Sequence, residues 1–130
     1  MRRGRVKAPP LSKGENMATS IKHIGLEDTI VPLAIQRLSE LLAYKSRIRL
    51  ITVHMPDGCW GLVHVTAGHG NTQLLLSNNF LAVNDATLRF PFNELANGDE
   101  EVWTVIENHD GVWPHGISVI FETEDARGAS

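Results

Sequence analysis

A single cysteine, Cys59, occurs in the 130 residues, so no disulfide can form within the chain and stability must come from packing. Long apolar runs are also missing. No stretch approaches the roughly 18 residues that a membrane-spanning helix needs, and the basic beginning of the chain is not followed by the apolar segment of a secretory signal. A cytoplasmic protein is expected. With 42% apolar and 21% charged residues, the chain has room for one hydrophobic core and hardly two.

Residues 1–16 differ from the rest, carrying Arg2, Arg3, Arg5, Lys7 and Lys13 among Pro9, Pro10 and polar positions, a composition that reads as disordered. Such a block can serve as a basic arm for nucleic acid or anionic lipid. A second reading comes from the codons. Lys13-Gly14-Glu15-Asn16-Met17 is compatible with a purine-rich bacterial ribosome-binding sequence ahead of an ATG, which makes Met17 the expected start and residues 1–16 a translated leader. Without that segment, seven Lys+Arg face fourteen Asp+Glu, a net charge of −7. So acidic a surface repels phosphate backbones and suits a basic protein partner, so nucleic acid and membrane are not expected as partners.

Between Glu27 and Lys45 the apolar positions Ile30, Val31, Ala34, Leu38, Leu41 and Leu42 recur at helical spacing. The expected element is one amphipathic helix, capped by Asp28 or Thr29, with Pro32 tolerated in its first turn and with Leu38 and Leu41 facing the core. From Arg47 the period switches to two. Arg47 to Met55 and Cys59 to Thr66 read as a hairpin around Pro56-Asp57-Gly58, followed by short strands at Thr72 to Ser77, Phe80 to Val83, Thr87 to Phe90, Val102 to Glu107 and Ile117 to Glu122. Asn93 to Ala96 has the length of a single helical turn. The expected fold is therefore α+β: one helix packed across a meandering antiparallel sheet of about five to seven strands, within a single domain spanning residues 17–125, and residues 126–130 as a disordered tail. In layout alone this resembles the helix-gripping arrangement of the cystatin or nuclear-transport-factor type, and it implies no function.

Four groupings of reactive residues fail on spacing. In the hairpin register His54 faces Trp60 and His64 faces Leu50, an offset of four residues or roughly 13 Å along the strands, so the two cannot share one ion. His69 lies between turn glycines. Cys59, His54 and Asp57 have the composition of a nucleophile, base and orienter, but alternation sends Cys59 and His54 to opposite faces. Gly68-His69-Gly70-Asn71 superficially looks like a phosphate loop, yet the Gln73-Leu74-Leu75-Leu76 that follows is too short for the helix such loops need. Glu94, Asp99, Glu100, Glu101, Glu107 and Asp110 offer acid and base groups without a reason to share a dry pocket. No catalytic residue, metal or cofactor is expected.

Of the three tryptophans, Trp60 and Trp103 fall at strand positions, whereas Trp113 sits in Gly111-Val112-Trp113-Pro114-His115-Gly116 between the last two strands. Pro114 resists central strand pairing, so the loop should project. A large aromatic on such a loop either anchors an interface or folds back over the core. The expected function is a non-catalytic, acidic protein-binding module, such as a bacterial or phage inhibitor, immunity or adaptor protein. It would occlude a basic partner surface through Trp113, Pro114, His115, Asp99, Glu100 and Glu101. Two alternatives are a small enzyme with a pocket between helix and sheet, lined by Trp60, His64, Trp103 and His115, and a structural subunit that self-assembles through a strand edge; a homodimer is compatible with either.

Overall fold

The computed structural model describes residues 20–76 and 79–128, so the expectations on residues 1–16 and on Met17 lie outside the described residues. Eight strands make up the described chain: β1 (Ile21–Ile30), β2 (Ile35–Leu41), β3 (Ser46–Met55), β4 (Val63–His69), β5 (Thr72–Leu75), β6 (Ala86–Ala96), β7 (Glu101–Asn108) and β8 (His115–Asp125). They form two antiparallel four-stranded sheets, sheet I in the order β1-β8-β3-β6 and sheet II in the order β2-β7-β4-β5. Consecutive strands fall in opposite sheets everywhere except β4 and β5. This is the connectivity of a jelly roll.

The expected α+β fold is thereby corrected to all-β, with no helix among the described residues. Consequently none there is long and apolar enough to cross a membrane. The apparent helical stripe spans two strands and the turn between them. Ile30 ends β1, the Ala34 amide donates to the Val31 carbonyl at 3.2 Å, and Leu33 has φ +61°, so Val31-Pro32-Leu33-Ala34 has the proline and positive φ of a type II turn. β2 then places Leu38 opposite the buried Thr104, while Leu41, three residues on, belongs to the other face and is 59% exposed. A spacing of three joins residues on one helix face but separates them on a strand.

The meander and its first hairpin are corrected as well. β3 pairs with β6 and β8, and β4 pairs with β5 and β7, so the two expected hairpin partners lie in different sheets. Their shared alternation carries the reason: Ile48, Ile51, Val53 and Met55 on one strand and Val63, Val65 and Ala67 on the other are all fully buried, facing each other across the core instead of edge to edge. Asn93 to Ala96 continues β6 as strand. Pro91 is accommodated because β6 is an edge, and the register with β3 shifts opposite it, between Ile48 and Leu50. Phe121 and Val119 of β8 and Ile106 and Val102 of β7 complete the interior, each fully buried. Each such side chain contributes about 1.5–3 kcal/mol by leaving water.

Candidate functional site

At one end of the sandwich the β3 to β4 and β7 to β8 loops and the start of β8 line an open cleft of about 520 Å³, formed by Asp57, Gly58, Trp60, Asp110, Trp113, Pro114 and His115. Two tryptophans stand exposed beside it, Trp60 at 71% and Trp113 at 65%. The backbone of each is hydrogen-bonded by side chains of neighbouring residues.

Trp60 lies in the β3 to β4 loop at φ +48°, between Gly58 at +107° and Gly61 at +75°. Left-handed backbone is expected of glycine and unusual for a bulky aromatic, so something must hold it. Asn84 does so from the β5 to β6 connection. Its Oδ1 accepts the amides of Gly58 and Trp60, each at 2.9 Å, and its Nδ2 donates to Asp57 Oδ1 at 3.0 Å. Cys59 in the same loop is fully buried, and burial, aided by the nearby Asp57, pushes its thiol pKa up. A protonated, inaccessible thiol is no nucleophile.

Trp113 is fixed from the other side by Asn108 and Asp110. The buried Asn108 donates from Nδ2 to the carbonyls of Ile30 at 2.9 Å and Trp113 at 3.0 Å, and its Oδ1 accepts the Asp110 amide at 2.9 Å. Asp110 Oδ1 accepts the amides of Val112 at 2.9 Å and Trp113 at 3.2 Å, and its Oδ2 accepts a bond from His115 Nε2 at 2.9 Å. The His115 bond and then these amides hold the Asp110 carboxyl below the usual carboxylate range. Both residues of the His115 and Asp110 pair are buried at the cleft floor. With Nε2 committed to Asp110 and Cys59 inaccessible, the pair works as a brace for the Trp113 loop.

The six residues expected to bind a partner therefore separate into two groups. Trp113 and Pro114 are exposed at the cleft and His115 forms its floor. Asp99, Glu100 and Glu101 lie at the opposite end, at the β6 to β7 turn, with the length of β7 between, about 23 Å of strand. Two of the three are engaged there: Glu100 bonds His69 at 2.5 Å and Glu101 bonds Arg37 at 3.1 Å, while Asp99 is exposed at φ +64°. Of the residues considered for an enzyme pocket, Trp60 and His115 share the cleft. His64 and Trp103 point away from the core on the outer face of sheet II, where the Arg37 guanidinium lies 5.9 Å over the Trp103 ring and Trp103 Nε1 donates to the Gly70 carbonyl.

Sequence reasoning missed Asn84, Asn108 and the Asp110 to His115 bond. The loop itself was legible from Pro114 and its flanking glycines, but an asparagine reaching from another loop leaves no local pattern. His69 is also more than a turn residue: buried at the end of β4, it bonds Glu94 through Nε2 at 2.8 Å as well as Glu100 through Nδ1. Among the described residues one group has ligand atoms close enough for a metal, His64, Glu107 and His109, and it lies outside the cleft. No known protein family matches the chain, and none of the curated proteins compared with it does.

Proposed function

We propose that the chain is a non-catalytic protein-binding module of the inhibitor, immunity or adaptor type, which takes a basic side chain of its partner into the cleft between Trp60 and Trp113. The observation that carries this reading is the pair of exposed indoles beside one cleft, on loops whose backbone is hydrogen-bonded by Asn84, Asn108 and Asp110, with Trp60 kept in left-handed backbone by Asn84. Backbone strain maintained by a dedicated bond is a feature of functional positions. Loops ordered before binding lose less entropy when a partner arrives, which favours the tryptophans they carry as anchors.

The chemistry of the occupant follows from charge. Asp57 lines the cleft, and the described residues hold seven Lys+Arg against fourteen Asp+Glu, a net charge of −7 within a chain of net charge −3. Indole faces attract lysine and arginine, and a carboxylate beside them completes the attraction. The acidic turn at Asp99, Glu100 and Glu101 stands about 23 Å of strand away, beyond the roughly 8 Å screening length of physiological salt, so it adds little to the field at the cleft itself.

Affinity capture from the native host tests the reading, using the wild-type chain and a Trp60→Ala/Trp113→Ala variant as baits, with bound proteins identified by mass spectrometry. A basic protein retained by wild type, released by salt and absent from the variant is the expected result. Identical proteins on both baits would remove the cleft from the binding surface.

A further inference from the structure

We propose that His64, Glu107 and His109 form a binding site for a first-row divalent metal ion of the zinc class on the outer face of sheet II. Two imidazole nitrogens and one carboxylate oxygen supply the ligands, and the remaining coordination positions stay open to water. The three ligand atoms already lie within 4.8 Å of one another.

Sheet register brings them together. His64 of β4 stands directly opposite Glu107 of β7, and both point outward because Val63, Val65, Ile106 and Asn108 beside them are buried. His109 follows Glu107 by two residues and so returns to the same face, and its amide bonds the Leu62 carbonyl at 2.7 Å, carrying the β4 and β7 pairing past the strand end. The ligands thus stand on paired backbone. The His64 ring stacks on Phe80 at 3.8 Å between centroids and lies 4.3 Å from the His109 ring, which limits how far the His64 imidazole can turn away.

The chemistry of the donors selects the ion. Zinc binds imidazole and carboxylate at about 2.0–2.2 Å, which sets tetrahedral ligand atoms roughly 3.3 Å apart. Closing from 4.8 Å needs only side-chain rotation, which Glu107 and His109 have room for, their side chains being 39% and 48% exposed. In the ion's place His109 Nε2 and Glu107 Oε1 now hold each other at 3.0 Å. Magnesium and calcium prefer all-oxygen cages and would gain little from the imidazoles.

The other four histidines are engaged elsewhere: His23 with Glu122, His54 with Thr87, His69 with its two glutamates and His115 with Asp110. His54 and His64 lie on strands of different sheets and share no ion. The partner of His64 comes instead from β7, and the sequence signal for it is the glutamate and histidine spaced by two at a strand end.

Isothermal titration of the untagged full chain with zinc chloride reads the site directly, and electron paramagnetic resonance of the copper(II) form counts its nitrogen ligands. One ion per chain and couplings from two imidazole nitrogens are expected. Outer-shell partners of metal ligands already cost about 10–100-fold, so His64→Ala and His109→Ala should each weaken binding at least about tenfold, while His54→Ala leaves it unchanged. His109 is exposed and His64 half-buried on the outer face of the sheet, and circular dichroism verifies the folds of both variants. Wild-type binding weaker than about 1 mM, or tight binding that survives in the His64→Ala/His109→Ala variant, overturns the proposal.

Discussion

His69 Nδ1 lies 2.5 Å from Glu100 Oε1 while its Nε2 lies 2.8 Å from Glu94 Oε2, so one buried imidazole ties the end of β4 to the β6 to β7 turn and to β6 of the other sheet. Both ring nitrogens face carboxylates and both must donate, which requires the imidazolium form. Burial opposes that charge, but the bonds to Glu100 and Glu94 outweigh it and raise the His69 pKa, while the His69 bond lowers that of Glu100.

A raised histidine contributes stability that is complete below its unfolded value of about 6.5 and is lost as pH rises through the higher folded value. Glu100 acts in the other direction, its contribution being present above the usual carboxylate range and lost on acidification. The network is therefore strongest between about pH 4.5 and 6.5. His69→Gln should lower the melting temperature most in that window, and the gap between variant and wild type should narrow above neutral pH. A gap that stays constant from pH 5 to about 9 would mean that His69 is not charged in the folded state.

Asn108→Ala should loosen the whole cleft from beneath. The side chain makes three hydrogen bonds in a buried position, and at about 1 kcal/mol each their loss costs roughly 3 kcal/mol. Chemical denaturation measures the cost, and the near-ultraviolet dichroism of Trp113 should weaken in the folded variant. A loss under about 1 kcal/mol would show that the loop is held by other means.

Leu38 and Leu41 distinguish a strand from a helix at residues 35–41. Leu38 is half-buried against the core, so Leu38→Ala should cost about 1–2 kcal/mol, less than full burial would give, whereas the exposed Leu41→Ala should stay within about 0.5 kcal/mol. Equal and large losses at both positions would restore the helix.

That region also shows why the sequence misleads about this fold. Ile24, Leu26 and Ile30 of β1 are buried at even positions, but Asp28 interrupts the alternation, and the exposed apolar residues Val31 and Leu41 complete a false helical stripe with Ile30, Ala34, Leu38 and Leu42. β2 is an edge with only Leu38 half-buried, so its outward face has no burial to enforce a polar pattern. Strands with a firm inner face were legible: Arg47 to Met55 lies within β3, Val102 to Glu107 within β7 and Ile117 to Glu122 within β8. What alternation does not encode is the partner. A strand buried on one face reads alike whether its chain neighbour lies beside it in one sheet or across the core, and here all but one connection crosses. The cleft inherits the same limit, because Trp60 and Trp113 come to line one cleft only once β4 and β8 are assigned to opposite sheets.

Trp60→Asn separates what Trp60 does for the fold from what it does for binding. Its indole is 71% exposed, so the isolated domain gains little from it, while left-handed backbone costs an ordinary L-residue on the order of 1–2 kcal/mol. Asparagine tolerates that conformation better and keeps the amide that Asn84 accepts. Trp60→Asn should therefore leave stability unchanged or raise it by up to about 1 kcal/mol, while abolishing capture of the basic partner. Trp113→Ala should likewise lower partner affinity, by about thirtyfold or more if it is an anchor, with the melting temperature nearly unchanged. Denaturant titration and surface plasmon resonance on the same preparations make the comparison. Should Trp60→Asn destabilise the domain by more than about 1 kcal/mol, the indole is a packing residue and its strain serves the fold; should it stabilise the domain while binding persists, the strain belongs to neither.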